Sequence, residues 1–533
     1  MLREDNSDKK FYIGVDNAGD REGAFKDPLW LESLKFLGVE FIMYHYVPRG
    51  TVSEQVAFIR GLSKLCESNN IQFVLNTERI NWLENFVDDD GWDWCHGTDG
   101  LHYMNFKPEI MQALSESTAF AGLVLDEADH MQLHRSWVWQ GTVSADTNIA
   151  NQETKKNMVF LGDTNSLSLP EAEQLVLANG KRLVEEWKAS GTHRIITEHV
   201  FPVLFHSFAE AGMTPACKQM KESWSNVWMA CAMGAARQYE RELWTCLDLW
   251  LSDRYPGHSP EELRNNLLFG YWAGVDRMYV ENLNYEGSLV EIVQDDGVPV
   301  NRLTKWGEQL QWFARQYLPA NPRAYTFRDM KPEIAIIRFD DTDYGQAGEP
   351  FWPEWLYGSE TLTCTPATSH WLKIWNVISH GVIPDNSLSW NTAKYSEIPH
   401  RSFAPMNGVI VYDHKAGNRQ LAGLKLAFLS GIMISDGTME AIAKAVEHHG
   451  LVVVAPPELV PEFVYSGYKG GTCVQSCGNG KWIVTDNVQS DELREEISTF
   501  LGSNDEIRYL FGDEEILFKI GVNDELELVK RSI

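Results

Sequence analysis

Phe120–Glu127 reads FAGLVLDE. A short apolar run with no polar interruption reads as a strand buried on both faces, as parallel sheets require. It closes on two adjacent carboxylates, Asp126 and Glu127, with His130 just beyond. Successive strand residues point to opposite faces, so one of the two carboxylates faces inward and the other braces it. A buried strand that ends in acid suggests a barrel whose polar groups collect at the strands' carboxyl ends.

Outward from that stretch the same pattern repeats. KFYIGVDN (Lys10–Asn17), VEFIMYHY (Val39–Tyr46) and IQFVLNTE (Ile71–Glu78) precede it. HRIITEHV (His193–Val200), a short polar ACKQMKE (Ala216–Glu222), ELWTCLDLW (Glu242–Trp250) and DRMYVENLN (Asp276–Asn284) follow. Helical periodicity fills the gaps. Thr51 with Glu54, and Ser259 with Pro260 and Glu262, are helix starts of the capping-box kind. Parallel neighbours need crossover helices. Eight βα units therefore predict an α/β fold, a (β/α)8 TIM barrel. No G-x-G-x-x-G follows the first strand, so a dinucleotide site is not expected.

From about Lys331 the alternation restarts in EIAIIRF, NGVIVYDH, LVVVAPP and KWIVTDN, with helical stretches between. This predicts a Rossmann-like α/β domain. The tail alternates with period two around Gly512-Asp513 and Asn523-Asp524, a β meander. The expected division is residues 1–325 for the catalytic barrel, 326–500 for the α/β domain, and 501–533 for a β segment packed on that domain.

Composition narrows the function. The 533 residues carry 75 acidic and 46 basic side chains, a formal charge of −29, which disfavours nucleic acid and anionic membrane as partners. No apolar run is long enough to span a bilayer and no secretory core follows Met1, so a cytoplasmic location is expected. The eight cysteines are scattered, and Cys473 and Cys477 have no second pair at zinc spacing. Neither a metal nor a cofactor is expected.

The strand ends carry the candidate chemistry. They are Asp16 and Asn17, His45 and Tyr46, Asn76 and Glu78, Asp126 and Glu127, Glu198 and His199, Asp248, and Glu281 and Asn282, with Lys218, Lys221 and Glu222 on or ending strand six. Any one of these alone is an ordinary solvated rim residue. A set of carboxylates this large, in convergence, costs repulsion and desolvation that a purely structural barrel has no reason to bear. Glycoside hydrolysis needs two carboxyl groups, one with a raised pKa. Glu127 is the expected acid/base, with Asp126 its rival. Glu222, beside two lysines, or Glu281 is the expected partner, and Asp248 stands behind them. Asp16, His45, Tyr46, Glu78, Asp126, His130, Glu198, His199, Asp248 and Asn282 are expected to bind substrate. Trp92 and Trp94, in the long segment after strand three, offer flat rings for sugar stacking.

A strand-four Glu in a barrel followed by a Rossmann-like domain and a β tail resembles the clan A glycoside hydrolases, closest in layout to the family 42 β-galactosidases. LLFGYWAGVDRMYVEN resembles their last barrel helix and strand, and KPEIAIIRF the entry to their second domain. Clan A enzymes carry Asn-Glu after strand four and a nucleophilic Glu after strand seven. Here these positions read Asp126-Glu127 and Asp248, which points to a divergent or separate family. The resemblance implies a homo-oligomer, a dimer or trimer. The expected activity is exo-acting hydrolysis of an oligosaccharide or polysaccharide fragment. Two alternatives remain: an isomerase or lyase acting on sugars, with or without a divalent metal, and a carbohydrate-binding protein without turnover.

Overall fold

In a computed structural model, the described chain excludes residues 1–9, 18–27, 47–49, 78–91, 97–101, 127–160, 163–166, 200–203, 221–223, 250–256, 282, 284–288, 340–365 and 386–400. Eight parallel strands close a barrel: β1 (Tyr12–Asp16), β2 (Phe41–His45), β3 (Gln72–Asn76), β4 (Phe120–Asp126), β5 (Ile195–His199), β6 (Thr214–Gln219), β7 (Trp244–Leu247) and β8 (Arg277–Val280). Each is followed by a helix: α1 (Pro28–Leu37), α2 (Val52–Asn69), α3 (Pro108–Glu116), α4 (Leu169–Ala189), α5 (Phe205–Ala211), α6 (Ser225–Gln238), α7 (Pro260–Trp272) and α8 (Lys305–Trp312). The expected (β/α)8 barrel is present. The capping boxes at Thr51 and Ser259 form as their spacing predicts.

The polar sixth strand is real, but it ends at Gln219, three residues short of the expected Glu222. Glu281 therefore follows the eighth strand and not the seventh. After β3 a hairpin pairs Trp92–His96 with His102–Phe106. A second hairpin, Val290–Asp295 with Val298–Leu303, follows β8 and is absent from the sequence reading.

The barrel interior is layered. Phe41, Met43, Val74, Val124, Ile196, Ala216, Trp244, Cys246 and Tyr279 fill it as one apolar cluster. Gly14 makes room for the Phe41 ring, which would lie 2.6 Å from a Cβ there. At the amino end the Arg277 guanidinium lies 4.2 Å from the Tyr12 ring centroid and 5.1 Å from that of Trp244. Its Nη1 donates to Gln72 Oε1 at 2.7 Å. Cation–π and charge-assisted contacts let a buried arginine act as filler.

The second sheet contains β9 (Ile334–Arg338), β10 (Val409–Asp413), β11 (Leu426–Ser430), β12 (Val452–Ala455), β13 (Thr472–Cys477) and β14 (Gly480–Thr485), in the order β10-β9-β11-β12-β14-β13. All pairings are parallel except β13 with β14. Helices α9 (Pro366–Ile378), α10 (Asp436–His449) and α11 (Asp491–Leu501) accompany it.

The edge strand β10 is covered by barrel helix α6. Gly234 permits that approach, since a Cβ there would meet the Val411 carbonyl oxygen at 1.5 Å. The tail forms the meander β15 (Glu506–Phe511), β16 (Glu514–Ile520) and β17 (Leu526–Ser532), extended by Met406–Asn407. It touches the barrel as well as the second sheet. Phe518 packs on Phe269 of α7, and Phe511 stacks on Tyr325 with ring centroids 4.1 Å apart. Among the described residues no helix is long and apolar enough to cross a membrane.

Candidate active site

The period-two alternation of each strand decides what faces the barrel mouth. Reading inward positions upward, Tyr12 leads to Asp16, Phe41 and Met43 to His45, Gln72 and Val74 to Asn76, and Val124 to Asp126. Ile196 leads to Glu198, Ala216 to Lys218, Trp244 and Cys246 to Asp248, and Arg277 and Tyr279 to Glu281. Every one of the eight strands thus delivers a polar group to one layer above the apolar interior. Between β3 and β4 the register shifts at Phe73–Val74, whose partners are Phe120 and Gly122, so Ala121 is an extra residue and the alternation resets before Asp126.

Two sets of contacts make up that layer. In the first, His45 Nε2 lies 2.9 Å from the Asp16 carboxylate and 3.2 Å from Asn76 Nδ2. Asn76 Nδ2 also donates to Asp126 Oδ2 at 2.8 Å. In the second, Lys218 Nζ lies 3.1 Å from Glu281, 3.6 Å from Asp248 and 3.9 Å from Glu198. Tyr279 donates its phenol hydrogen to Glu198 Oε1 at 2.6 Å. Cys246 Sγ lies 3.6 Å from Glu281 Oε2. Asp126 and Glu198, paired in register on the adjacent strands β4 and β5, join the two sets.

The electrostatics follow from burial and crowding. Burial raises the Glu198 carboxyl well above the ordinary range, the neighbouring Asp126 charge raises it further, and Lys218 opposes both. Burial, then Asp248, does the same for Glu281, again opposed by Lys218. Burial also raises Asp16, against the pull of His45. Asp16, Glu198 and Glu281, the three raised carboxyls, share this buried layer with one ammonium and one imidazole, so the layer retains protons above the ordinary carboxylate range. Such a layer can supply a proton donor and a carboxylate base side by side.

Of the sequence candidates, Asp16, His45, Asp126, Glu198, Asp248 and Glu281 come together here. Tyr46 and His199 do not. Tyr46 donates to Gln55 Oε1 at 2.6 Å and packs on Phe58 and Phe106, in the layer between barrel and helices. His199 packs at a tilt against Phe205 with ring centroids 4.2 Å apart. Each immediately follows an inward residue, so alternation turns it outward. Glu78, Glu127, His130, Glu222 and Asn282 lie outside the described residues, as do the side chains of Trp92 and Trp94. Cys246 and Tyr279 were not among the candidates. Counting back two from Asp248 and from Glu281 would have found them. Asn76 and Lys218 were legible as strand ends, but their contacts were not.

Glu198, Cys246 and Glu281 bring one donor atom each within 4.8 Å of one another. Lys218 already places a cation against both carboxylates, which leaves this set a poor host for a metal.

No family model matches the chain, and no curated protein matches it. Among solved structures, the chain is similar to the catalytic module of a family 98 glycoside hydrolase from Streptococcus pneumoniae, with a TM-score of 0.39, 10% identity, and coverage of 98% of this chain and 81% of that one. It is also similar to ScGas2, with a TM-score of 0.34, 11% identity, and coverage of 61% and 68%. The assignment of the closed barrel rests on the strand pairings above and not on these distant likenesses.

Proposed function

We propose that the chain is a glycoside hydrolase that works through two carboxyl groups at the barrel mouth. The observation that carries this reading is the Glu198–Glu281 pair, whose facing oxygens lie within 4.8 Å of each other on β5 and just after β8. Both carboxyls are raised, and one lysine lies beside both. Spacing this close suits the retaining geometry, about 5 Å between carboxyl groups, better than the wider inverting one.

In the proposed reaction Glu198 protonates the departing glycosidic oxygen. Burial, and then the neighbouring Asp126 charge, favour its protonated state. Glu281, nearest to Lys218, attacks the anomeric carbon as the ionised partner. Water then releases the sugar, with Glu198 now acting as base. Asp16, His45 and Asp248 are proposed to accept hydrogen bonds from, or donate them to, sugar hydroxyls. The proposed substrate is an oligosaccharide or polysaccharide fragment, cleaved from one end. Glu127 is the rival proton donor.

The test is release of sugar from a panel of α- and β-linked aryl glycosides and oligosaccharides by wild type, Glu127→Gln, Glu198→Gln and Glu281→Gln. Activity lost in Glu198→Gln and Glu281→Gln but kept in Glu127→Gln supports the pair. Loss in Glu127→Gln with full activity in Glu198→Gln transfers the acid role to Glu127. Turnover that survives in both Glu198→Gln and Glu281→Gln overturns the reading.

A further inference from the structure

At the opposite end of the barrel lies a cavity of about 340 Å³, lined by Ala236, Arg237, Glu240, Arg328, Tyr412, Arg419 and Gln420. Its position follows from topology. Arg237 sits in the last turn of α6, and barrel helices run antiparallel to their strands. Arg328 holds Asp276, immediately before β8, through two bonds of 2.8 and 3.0 Å. Asp276 and Glu281 are five residues apart on an extended strand, so the cavity floor and the mouth are separated by about 16 Å. Tyr412 and Arg419 come from the second sheet's side, so the cavity straddles the two bodies.

Three arginines meet here in a chain whose formal charge is −29. Two have evident structural work. Arg419 pairs with Glu240 and donates to the Arg237 and Gln238 carbonyls at the end of α6. Arg328 pairs with Asp276 and donates to the Arg241 carbonyl. Arginines commonly bind the last carbonyls of a helix in this way.

Arg237 is different. Its Nη1 donates to the Met330 carbonyl, and among the described residues no carboxylate pairs with it. The Tyr412 hydroxyl and the Gln420 Nε2 amide likewise take no acceptor among the described residues, although the Tyr412 ring is buried. The cavity therefore presents unused donors, and its one carboxylate, Glu240, is already held by Arg419. Guanidinium forks suit tetrahedral oxyanions in particular, and the volume falls at the small end of ligand sites.

We propose that this cavity binds a small ligand through a phosphate or sulfate group. Arg237 is the principal contact, Tyr412 and Gln420 donate alongside it, and the ligand bridges the barrel and the second sheet. The site is separate from the proposed hydrolytic centre, and its occupancy can be read without any measurement of turnover.

The experiment is calorimetric titration of the full chain with sodium phosphate, sodium sulfate and phenyl phosphate, against sodium chloride at matched ionic strength. Saturable binding of the oxyanions but not chloride is expected. It should weaken at least tenfold in Arg237→Met, and by less in Arg237→Lys and Tyr412→Phe. Tighter binding of phenyl phosphate than of inorganic phosphate would identify an ester as the ligand class, and the reverse the free ion. Phosphorus NMR line broadening of phosphate by wild type, reversed by sulfate, provides a readout that does not depend on a variant folding. Absence of saturable binding to wild type, or equal affinity in a folded Arg237→Met, overturns the proposal.

Discussion

Lys218 Nζ lies 3.1 Å from the Glu281 carboxylate, and both side chains are almost wholly buried at the barrel mouth. This pair sets the charge balance of the whole polar layer, because the same ammonium also faces Asp248 and Glu198. Its attraction is what opposes the upward push on both glutamates.

Lys218→Met should therefore raise the Glu198 and Glu281 carboxyls further. Ionised Glu281 would be reached only at higher pH, so the acid limb of the kcat/KM profile should move upward. Activity at neutral pH should fall on the order of a hundredfold, as when a preorganised charge is removed. Lys218→Arg should restore part of both. A pH–rate series on the three proteins measures it, and an unmoved acid limb in Lys218→Met would remove Lys218 from the mechanism.

The same crowding should destabilise the fold. Glu198, Glu281 and Asp16 have folded-state pKa values raised above their unfolded values. The native state then binds more protons than the unfolded state, so their contribution is most favourable below the ordinary carboxylate range and is lost as pH rises through the raised values. Glu198→Gln replaces a carboxyl that the fold must hold protonated above its unfolded pKa with a neutral amide, and should raise the melting temperature at neutral pH by roughly 2 °C, for about 1 kcal/mol gained. Scanning calorimetry at pH 5 and pH 7.5 should show the gain growing with pH.

Glu173 carries the opposite sign. His414 and Lys415 contact it at 3.0 and 3.1 Å, and it is held below the ordinary carboxylate range despite burial. Its contribution to docking the second sheet is present above the unfolded carboxylate pKa and is lost as pH falls through the lowered value. Glu173→Gln should cost about 1 kcal/mol at neutral pH, discounted because its partner Lys415 is partly exposed. Urea unfolding at pH 7 and pH 3.5 should show the deficit shrinking in acid.

Gly234→Ala tests the close approach of α6 to β10. A methyl group cannot occupy a position 1.5 Å from the Val411 oxygen, so the helix must move away from the strand. The expected loss is about 3 kcal/mol, at the upper end for overpacking. Limited proteolysis should show the second sheet released first. Gly14→Ala, where a side-chain ring is in the way and not backbone, should cost less.

The barrel was legible because its strands are apolar on both faces and end abruptly in acid. Even the short sixth strand could be counted, although its end was placed at Glu222 and not at Gln219. Adjacent polar residues were harder to separate. Glu198 and His199 both end β5, but only the first turns inward. The register shift opposite Phe73–Val74, which sets the phase of Asp126, is marked in the sequence by Gly122 alone. In the second sheet Leu426–Ser430 was missed, since its apolar run continues past Gly431 without a strong turn signal. The Lys218 contacts depend on three separate strands and could not be read from any one of them.

The arginine plug at the amino end of the barrel has a kinetic consequence. With Arg277 wedged among Tyr12, Phe41 and Trp244 beneath the apolar cluster, the interior is packed shut at its amino end. A ligand at the polar layer must therefore come and go on the strands' carboxyl side. For the proposed hydrolysis, the outer fragment would depart first and water would follow it in. The inner sugar is the last to go, so turnover would be slowed by that sugar accumulating in solution and not by the fragment released before it.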